Sequence, residues 1–430
     1  MCPTIAPKPT PSAGGCSTGG AATAATRSAS ARAVPPRRRP PAAPSRFRSS
    51  TPYPGPPPAR VRTPNLTTLS PLGASGQARS VRRARNAPYL PDRRLFSGRS
   101  DMRTLLIGCG DHGGGTLLPA ACSAGISIHA LVDSDRERAE HLAKLWLIPQ
   151  VYASTEDVDA DTFDGAIVAL PVSAQADHVA WALQAGLHTF VEKPPAPDLD
   201  GLRTLLQHAG RAGVHCVVGM NFRLAEGVRR LRSALAAPQY GPISYARVEH
   251  IARKPVQSFS PDMSLEASLF AAQGIHAIDL AQVLLPAQRV TSGQMIAVNR
   301  GRLATLVAGD PAGGTRLEVH FGSCAAAFSH QVRVVTASGD LLELRNMSEL
   351  LHLPNGGDEH VREYPGARVL WRTSPIGGGY DSAGYGPELA AFGDLVAGGP
   401  AESLASLASL LPVYEAFDEL LQAEGLAWTA

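Results

Sequence analysis

The sequence predicts an α/β chain. A parallel sheet with helices on both faces spans residues 102–223, a second domain on an antiparallel sheet spans 224–430, and a disordered basic tail of residues 1–101 precedes both. Three observations carry this. Strand-like and helix-like segments alternate from Met102 to about residue 223, the pattern of a parallel sheet. Beyond about residue 237, strand candidates crowd together with few helices between them, which suits antiparallel pairing. The first hundred residues hold 16 Arg and one Lys against a single acid, Asp92, and 18 of the chain's 36 Pro.

Such a tail cannot bury enough apolar surface to offset the ordering of its backbone. It carries +16 and the remainder −13, so the net +3 hides a basic leader on an acidic body. Basic runs such as Arg37 to Arg39 can hold nucleic acid or an anionic membrane. No aromatic interleaving or amphipathic period supports that here, so neither partner is expected. Two readings of the tail stay open: an over-long start, with translation beginning at Met102, and an organelle transit leader. No run of about 18 apolar residues suggests a membrane helix. Cys2, Cys16, Cys109, Cys122, Cys216 and Cys324 show neither paired nor metal-ligand spacing. They read as thiols of a reducing compartment, hence a cytoplasmic protein without a metal site.

The first domain opens on residues 104–115, TLLIGCGDHGGG. The apolar run Leu105 to Ile107 leads into Gly108-x-Gly110-x-x-Gly113, then a helical segment at 116–123, then an apolar run at 126–132 that ends in Asp133. Strand, glycine turn, helix, strand and acid in this order make a dinucleotide-binding Rossmann unit. Gly108 permits the tight turn, Gly110 lets the backbone approach a pyrophosphate, and Gly113 lets helix and strand pack closely. The helix N-terminus, with Asp111 and His112 in the turn before it, offers N–H groups to the phosphates. Asp133 stands about 20 residues past the last glycine, where an acid binds the ribose hydroxyls. That favours NAD over NADP, although neighbouring Ser134 and Arg136 weaken the preference.

Further along come a helix at 136–147, a buried strand at 163–170 stopped by Pro171, and a helix at 173–185 closed by Gly186. A strand at 188–191 ends in Glu192-Lys193-Pro194. A helix at 199–212 and a strand at 214–218 precede Gly219 to Arg223, GMNFR. Asp133, Pro171, Lys193 and Asn221 all fall at carboxyl ends of strands, where such sheets bind ligands. In the second domain, residues 243–250 alternate as a half-buried strand and 264–285 read as one helix containing Gly274 to Asp279, GIHAID. Strand candidates follow at 294–298, 303–307, 316–321, 332–336, 341–345 and 360–364, then helices at 386–396 and 403–424.

The glycine motif, Glu192-Lys193-Pro194, GMNFR and GIHAID together resemble the Gfo/Idh/MocA oxidoreductases, over residues 102 to about 424. The resemblance implies an N-terminal Rossmann domain, a C-terminal α/β domain on a large, mainly antiparallel sheet, and NAD or NADP as cofactor. It implies a small-molecule substrate, mostly of the sugar or cyclitol kind, and a homodimer or homotetramer formed through the sheet. Lys193 matches the lysine that stands near the nicotinamide and bonds the reacting oxygen. Glu192 and Pro194 shape that pocket, often with a cis bond before the proline. His276 matches the acid/base partner of Lys193. Asp279, one turn on, either orients His276 or anchors the helix. Asn221 and Arg223 lie at the domain junction, with a mainly structural role beside the substrate. Many members carry Asp or Asn four residues before the histidine; here that position is Ala272, and Gln273 points about 100° away on a regular helix. Imine reduction, a bulkier substrate, or a non-catalytic NAD(P)-binding sensor on the same fold would each need that carboxylate less.

Removing residues 1–101 should leave folding and cofactor binding unchanged, given the tail's charge and proline content. A truncated chain that is insoluble, or that no longer binds NADH, contradicts this.

Overall fold

A computed structural model describes residues 102–430 apart from 287, 310–313, 357–365, 375–378, 380, 381 and 402. The expected tail and the strand expected at 360–364 lie outside the described residues.

Thr104–Ile107 (β1) is buried at all four positions, as a strand covered on both faces must be. Around it run Ile128–Val132 (β2), Gln150–Tyr152 (β3), Gly165–Val168 (β4), His188–Glu192 (β5) and Cys216–Gly219 (β6), all parallel. Their order is β6-β5-β4-β1-β2-β3, the doubly wound order with its reversal between β1 and β4. The crossovers carry Leu118–Ser123 (α1), Arg136–Trp146 (α2), Val172–Gln184 (α3) and Leu199–Ala212 (α4). Local chemistry fixes their ends. Asp135 caps α2 by accepting from Arg138 N at 3.1 Å, and Asp198 caps α4 by accepting from Gly201 N at 2.8 Å. Gly213, at φ 68°, ends α4 in the left-handed conformation that favours glycine.

The helix after the glycine turn opens earlier than the pattern at 116–123 suggests. It begins as a π turn, Gly113–Leu117. A side chain is excluded at Gly113, where a Cβ would lie 2.0 Å from the Gly108 carbonyl oxygen.

After Glu226–Leu235 (α5), the second sheet is built from Ile243–Ile251 (β7), Val290–Val298 (β8), Gly301–Gly309 (β9), Arg316–Gly322 (β10), Ser329–Thr336 (β11), Leu341–Arg345 (β12), Glu349–Leu353 (β13) and Arg368–Arg372 (β14). The order is β14-β13-β12-β11-β7-β10-β9-β8, antiparallel except where β10 pairs with β7. Along β7 the alternation buries Ala246, Val248 and His250.

The helix expected at 264–285 is three pieces: Leu265–Leu269 (α6), a π turn at Phe270–Gly274, and Ile275–Leu284 (α7). Ser264 caps α6 through Ala267 N at 3.0 Å.

Two expectations for the C-terminal part need correction. The chain does not stay in the second domain after residue 224. Tyr385–Val396 (α8) returns to pack its Leu389, Phe392 and Leu395 with Leu106, Leu117 and Phe190 of the first domain. The helix expected at 403–424 begins instead with Ala405–Ser406 (β15), which pairs antiparallel with the exposed edge of β6. The helix proper is Leu411–Ala423 (α9), with Pro412 in its first turn, where the missing N–H costs nothing. Both sheets lie within one compact unit of the chain.

Candidate active site

A cavity of about 1180 Å³ opens beyond the carboxyl ends of the parallel strands and extends to β7 and the helix of His276. On the first-domain side it is lined by the glycine loop, Asp133, Ser134, Ala169 to Pro171, Glu192, Lys193, Asn221 and Phe222. Across from these stand His250, residues 252–254, Ala272, Gln273, His276 and residues 326–328.

The glycine loop has the shape a phosphate needs. Gly108 sits at φ 97°, and a Cβ there would lie 2.2 Å from the Ala169 carbonyl oxygen. A Cβ on Gly110 would meet nothing within 4 Å, so the loop presents bare backbone to open cavity. The helix that follows starts at this loop, and its positive dipole end favours an anion there. His112 lines the cavity too; Asp111 does not, and its carbonyl accepts from Gly115 N at 3.1 Å.

Asp133 is held by three donors. Its Oδ2 accepts from Cys109 N at 2.7 Å, and its Oδ1 from Asp135 N at 2.8 Å and Arg138 Nη2 at 2.7 Å. Burial would raise the carboxyl, but these donors outweigh it and hold it below the usual range. Burial and Asp133 push the Cys109 thiol up to about 12, so Cys109 fills space and is no nucleophile.

Glu192 joins two parts of the site. Its Oε1 meets His112 Nε2 at 2.6 Å, and its Oε2 accepts from Lys193 N at 2.5 Å. The Lys193–Pro194 peptide is cis. Gln175 pins this turn: its Nε2 donates to the carbonyls of Glu192 (2.5 Å) and Pro194 (2.6 Å), and its Oε1 accepts from Leu170 N at 3.0 Å.

Lys193 Nζ donates to the Ala271 carbonyl at 3.2 Å. The π turn frees that acceptor, because Ile275 N bonds Phe270 O, five residues back. Burial lowers the Lys193 ammonium below its ordinary value; Glu192 opposes the drop and Lys254 adds to it. The π turn also brings both Ala272 and Gln273 to the cavity wall, contrary to the regular-helix expectation that Gln273 points away.

His276 is 5% exposed, and its ring stacks on Phe222 with centroids 4.3 Å apart. Its Nδ1 is buried without a hydrogen-bond partner among the described residues. Burial, with Lys193 and the buried His250 and His330 nearby, depresses its basicity well below normal, so the ring is neutral. His250 Nδ1 lies 3.0 Å from His330 Nδ1 and behaves likewise, lowered to about 4 by burial.

Asp279 and Arg223 face each other instead of the cavity. Arg223 Nε donates to Asp279 Oδ2 at 2.9 Å, and its other nitrogens reach the Leu404 carbonyl and Ser409 Oγ at 3.2 Å. Asp279 is 1% exposed and neither residue lines the cavity. Asp279 is thus an anchor, not a partner of His276, and Arg223 is removed from the substrate-facing set. Asn221 remains at the wall, its Nδ2 donating to Ala383 O at 2.8 Å and its Oδ1 buried without a partner among the described residues.

Residues 102–220 match the model of an oxidoreductase family with an NAD-binding Rossmann fold. A dehydrogenase from Chromobacterium violaceum superposes with a TM-score of 0.68 at 27% identity, covering 75% of this chain and 94% of that one. Residues 102–220 thus carry the NAD-binding domain of the Gfo/Idh/MocA oxidoreductases. Curated relatives include a D-apiose dehydrogenase of Paraburkholderia graminis, 29% identical over 42% of this chain and 48% of that one. An inositol 2-dehydrogenase/D-chiro-inositol 3-dehydrogenase of Shouchella clausii is 28% identical over 43% of this chain and 53% of that one. The matches span about half the length of these relatives.

The sequence alone did not single out Arg138, Gln175, His250 or the cations Arg253 and Lys254. Two of them left a signal. Gln175 lies on the face of α3 that buries Val179, Ala182 and Leu183, and His250 falls on the inward phase of the alternating strand β7.

Arg223→Ala should destabilise the fold by about 3–5 kcal/mol, because it strands a buried carboxylate. Thermal melting checks this, and Arg223→Ala melting like the parent would contradict it.

Proposed function

We propose that this chain transfers a hydride between NAD and a sugar-like or other small polar carbonyl/hydroxyl compound, with Lys193 and His276 as the proton-transfer pair. The observation that carries the reading is that one cavity joins the glycine loop and Asp133 to Lys193 and His276. The nicotinamide, when bound, supplies the hydride acceptor or donor. Gly108, Gly110 and Gly113 would cradle the pyrophosphate, and Asp133 the adenosine ribose. The relatives named as apiose and inositol dehydrogenases support a polyhydroxy substrate.

Oxidising an alcohol requires a group to take the hydroxyl proton. A lysine whose ammonium is destabilised by burial has a larger neutral fraction at working pH, and neutral Nζ can accept that proton. Neutral His276 can accept or pass on a proton through whichever ring nitrogen faces the substrate. The Ala271 carbonyl orients Lys193 where other arrangements would use a carboxylate at position 272. We further propose self-association through the sheet face bearing Tyr245, Arg247 and Glu249, which alternate with the buried residues of β7.

Lys193→Ala should lower kcat by about 10²–10⁴-fold while NADH still binds. His276→Ala should also lower it, and the double variant should lose less than the product of the two. For oxidation, kcat/KM should rise with pH and level off below the ordinary lysine value, because the neutral amine is the active form. Lys193→Arg, always protonated, should lose that activity at every pH. Turnover of the true substrate that survives Lys193→Ala unchanged rules the mechanism out.

NAD is the proposed cofactor because the Asp133 carboxylate stays ionised and repels a 2′-phosphate. Arg138 offsets part of that charge. Fluorescence titration should give tighter NADH than NADPH binding, with the gap narrowed in Asp133→Ala. Tighter NADPH binding to the parent protein refutes the assignment.

A further inference from the structure

The two ends of the cavity differ in charge. Among the described residues its lining acids are Asp133 and Glu192, at the glycine-loop end, and each is already held by protein donors. The wall across from that end presents Arg253 and Lys254 and, among the described residues, no carboxylate; Lys193 stands between the two, next to Glu192. Ala272 stands at the wall there without a polar group. Among the described residues, neither the Arg253 guanidinium nor the Lys254 ammonium has an ion-pair or hydrogen-bond partner.

Exposed cations are common, and most are simply solvated. These two differ in being fixed to the wall at the backbone. The carbonyl of Lys254 accepts from Gln273 Nε2 at 3.0 Å, and that amide is 6% exposed on the π turn next to Ala272. Ala252 N donates to Gly322 O at 2.9 Å, and Ala252 O accepts from Ala325 N at 3.1 Å. The strand end carrying Arg253 and Lys254 is thereby tied both to the helix of His276 and to the sheet. Lys254 is close enough to Lys193 for its charge to help lower the Lys193 ammonium. A positively charged cavity wall with no counter-ion among the described residues attracts an anion electrostatically, and low-dielectric walls strengthen the field.

Resting on the oxidoreductase reading above, we propose that the substrate is anionic: a small sugar or polyol bearing a carboxylate or a phosphate. Its charge sits on Arg253 and Lys254, and its reacting carbon faces Lys193. The absence of a carboxylate at position 272 then has a physical reason, since a negative side chain there would repel this ligand. The tethering amide of Gln273 makes it a positioning residue for Lys254.

The test uses the full chain with NAD and matched compounds: D-glucose, D-gluconate, D-glucuronate and D-glucose 6-phosphate. Turnover is followed as NADH formation, and binding is measured separately by calorimetry on the NAD-loaded protein. The anions should bind more tightly than D-glucose, and the preferred anion identifies carboxylate or phosphate as the group recognised. Arg253→Gln with Lys254→Gln should cut the anion-over-neutral preference by about 10- to 100-fold, the size expected for lost charge-assisted hydrogen bonds. Ala272→Asp should shift the preference in the same direction. High salt should weaken it as well. Equal binding of neutral and anionic members, or a double variant that leaves the preference intact, overturns the proposal. Turnover of D-glucose without anion preference leaves the oxidoreductase reading standing and removes only this one. Anion-selective binding without turnover of any member supports the charge assignment and counts against the hydride-transfer reading.

Discussion

The buried pair of Arg223 and Asp279 is the contact on which the rest of the site depends. It joins the turn after β6 to the middle of α7, and α7 carries His276 one turn before Asp279. Two charges removed from water cost several kcal/mol each, and only tight geometry with further partners offsets this. Arg223 has those partners in the Leu404 carbonyl and Ser409. The same guanidinium therefore ties in the returning segment that forms β15. With this knot in place, the second domain holds His276 over the cavity that the parallel strands open at their carboxyl ends.

Within that frame, the π turn sets the chemistry of the wall. One residue more than a regular helical turn leaves the Ala271 carbonyl for Lys193 and rotates Ala272 and Gln273 together toward the cavity. A carbonyl carries only a partial charge, so it orients Lys193 without holding its ammonium as firmly as a carboxylate would. Burial can then lower the ammonium's stability, which suits a proton acceptor. Gln273, freed from any role beside Lys193, braces the loop that bears Lys254. On the other side, Glu192 links the glycine loop to the lysine turn through His112, so the glycine-loop end and the Lys193 end share one scaffold.

Much of this was legible in the sequence where function depends on local pattern. The glycine spacing, the strand endings at Asp133 and Lys193, and the β7 alternation all belong to short windows with a single period. The parts that escaped are non-local or break the period. A helical pattern of 3.6 residues per turn has no mark for a π turn, so Gln273 was assigned the wrong direction. Asp279 stood on the same face as His276 in sequence, but its partner is 56 residues away, and only the fold brings Arg223 to it. The return of α8 and β15 to the first domain depends on an apolar face and a free strand edge that no window near residues 385–406 contains. Arg138 was passed over for Arg136 because the choice between them depends on how the first turn of α2 faces Asp133.

The central claim is that one cavity places the cofactor against Lys193 and His276. A crystal structure of the protein grown with NAD tests it most directly. The account predicts the pyrophosphate on the backbone of Gly108 to Gly113, the adenosine ribose at Asp133, and the nicotinamide end beside Lys193 and His276. A dinucleotide bound with its nicotinamide directed away from Lys193 would contradict it.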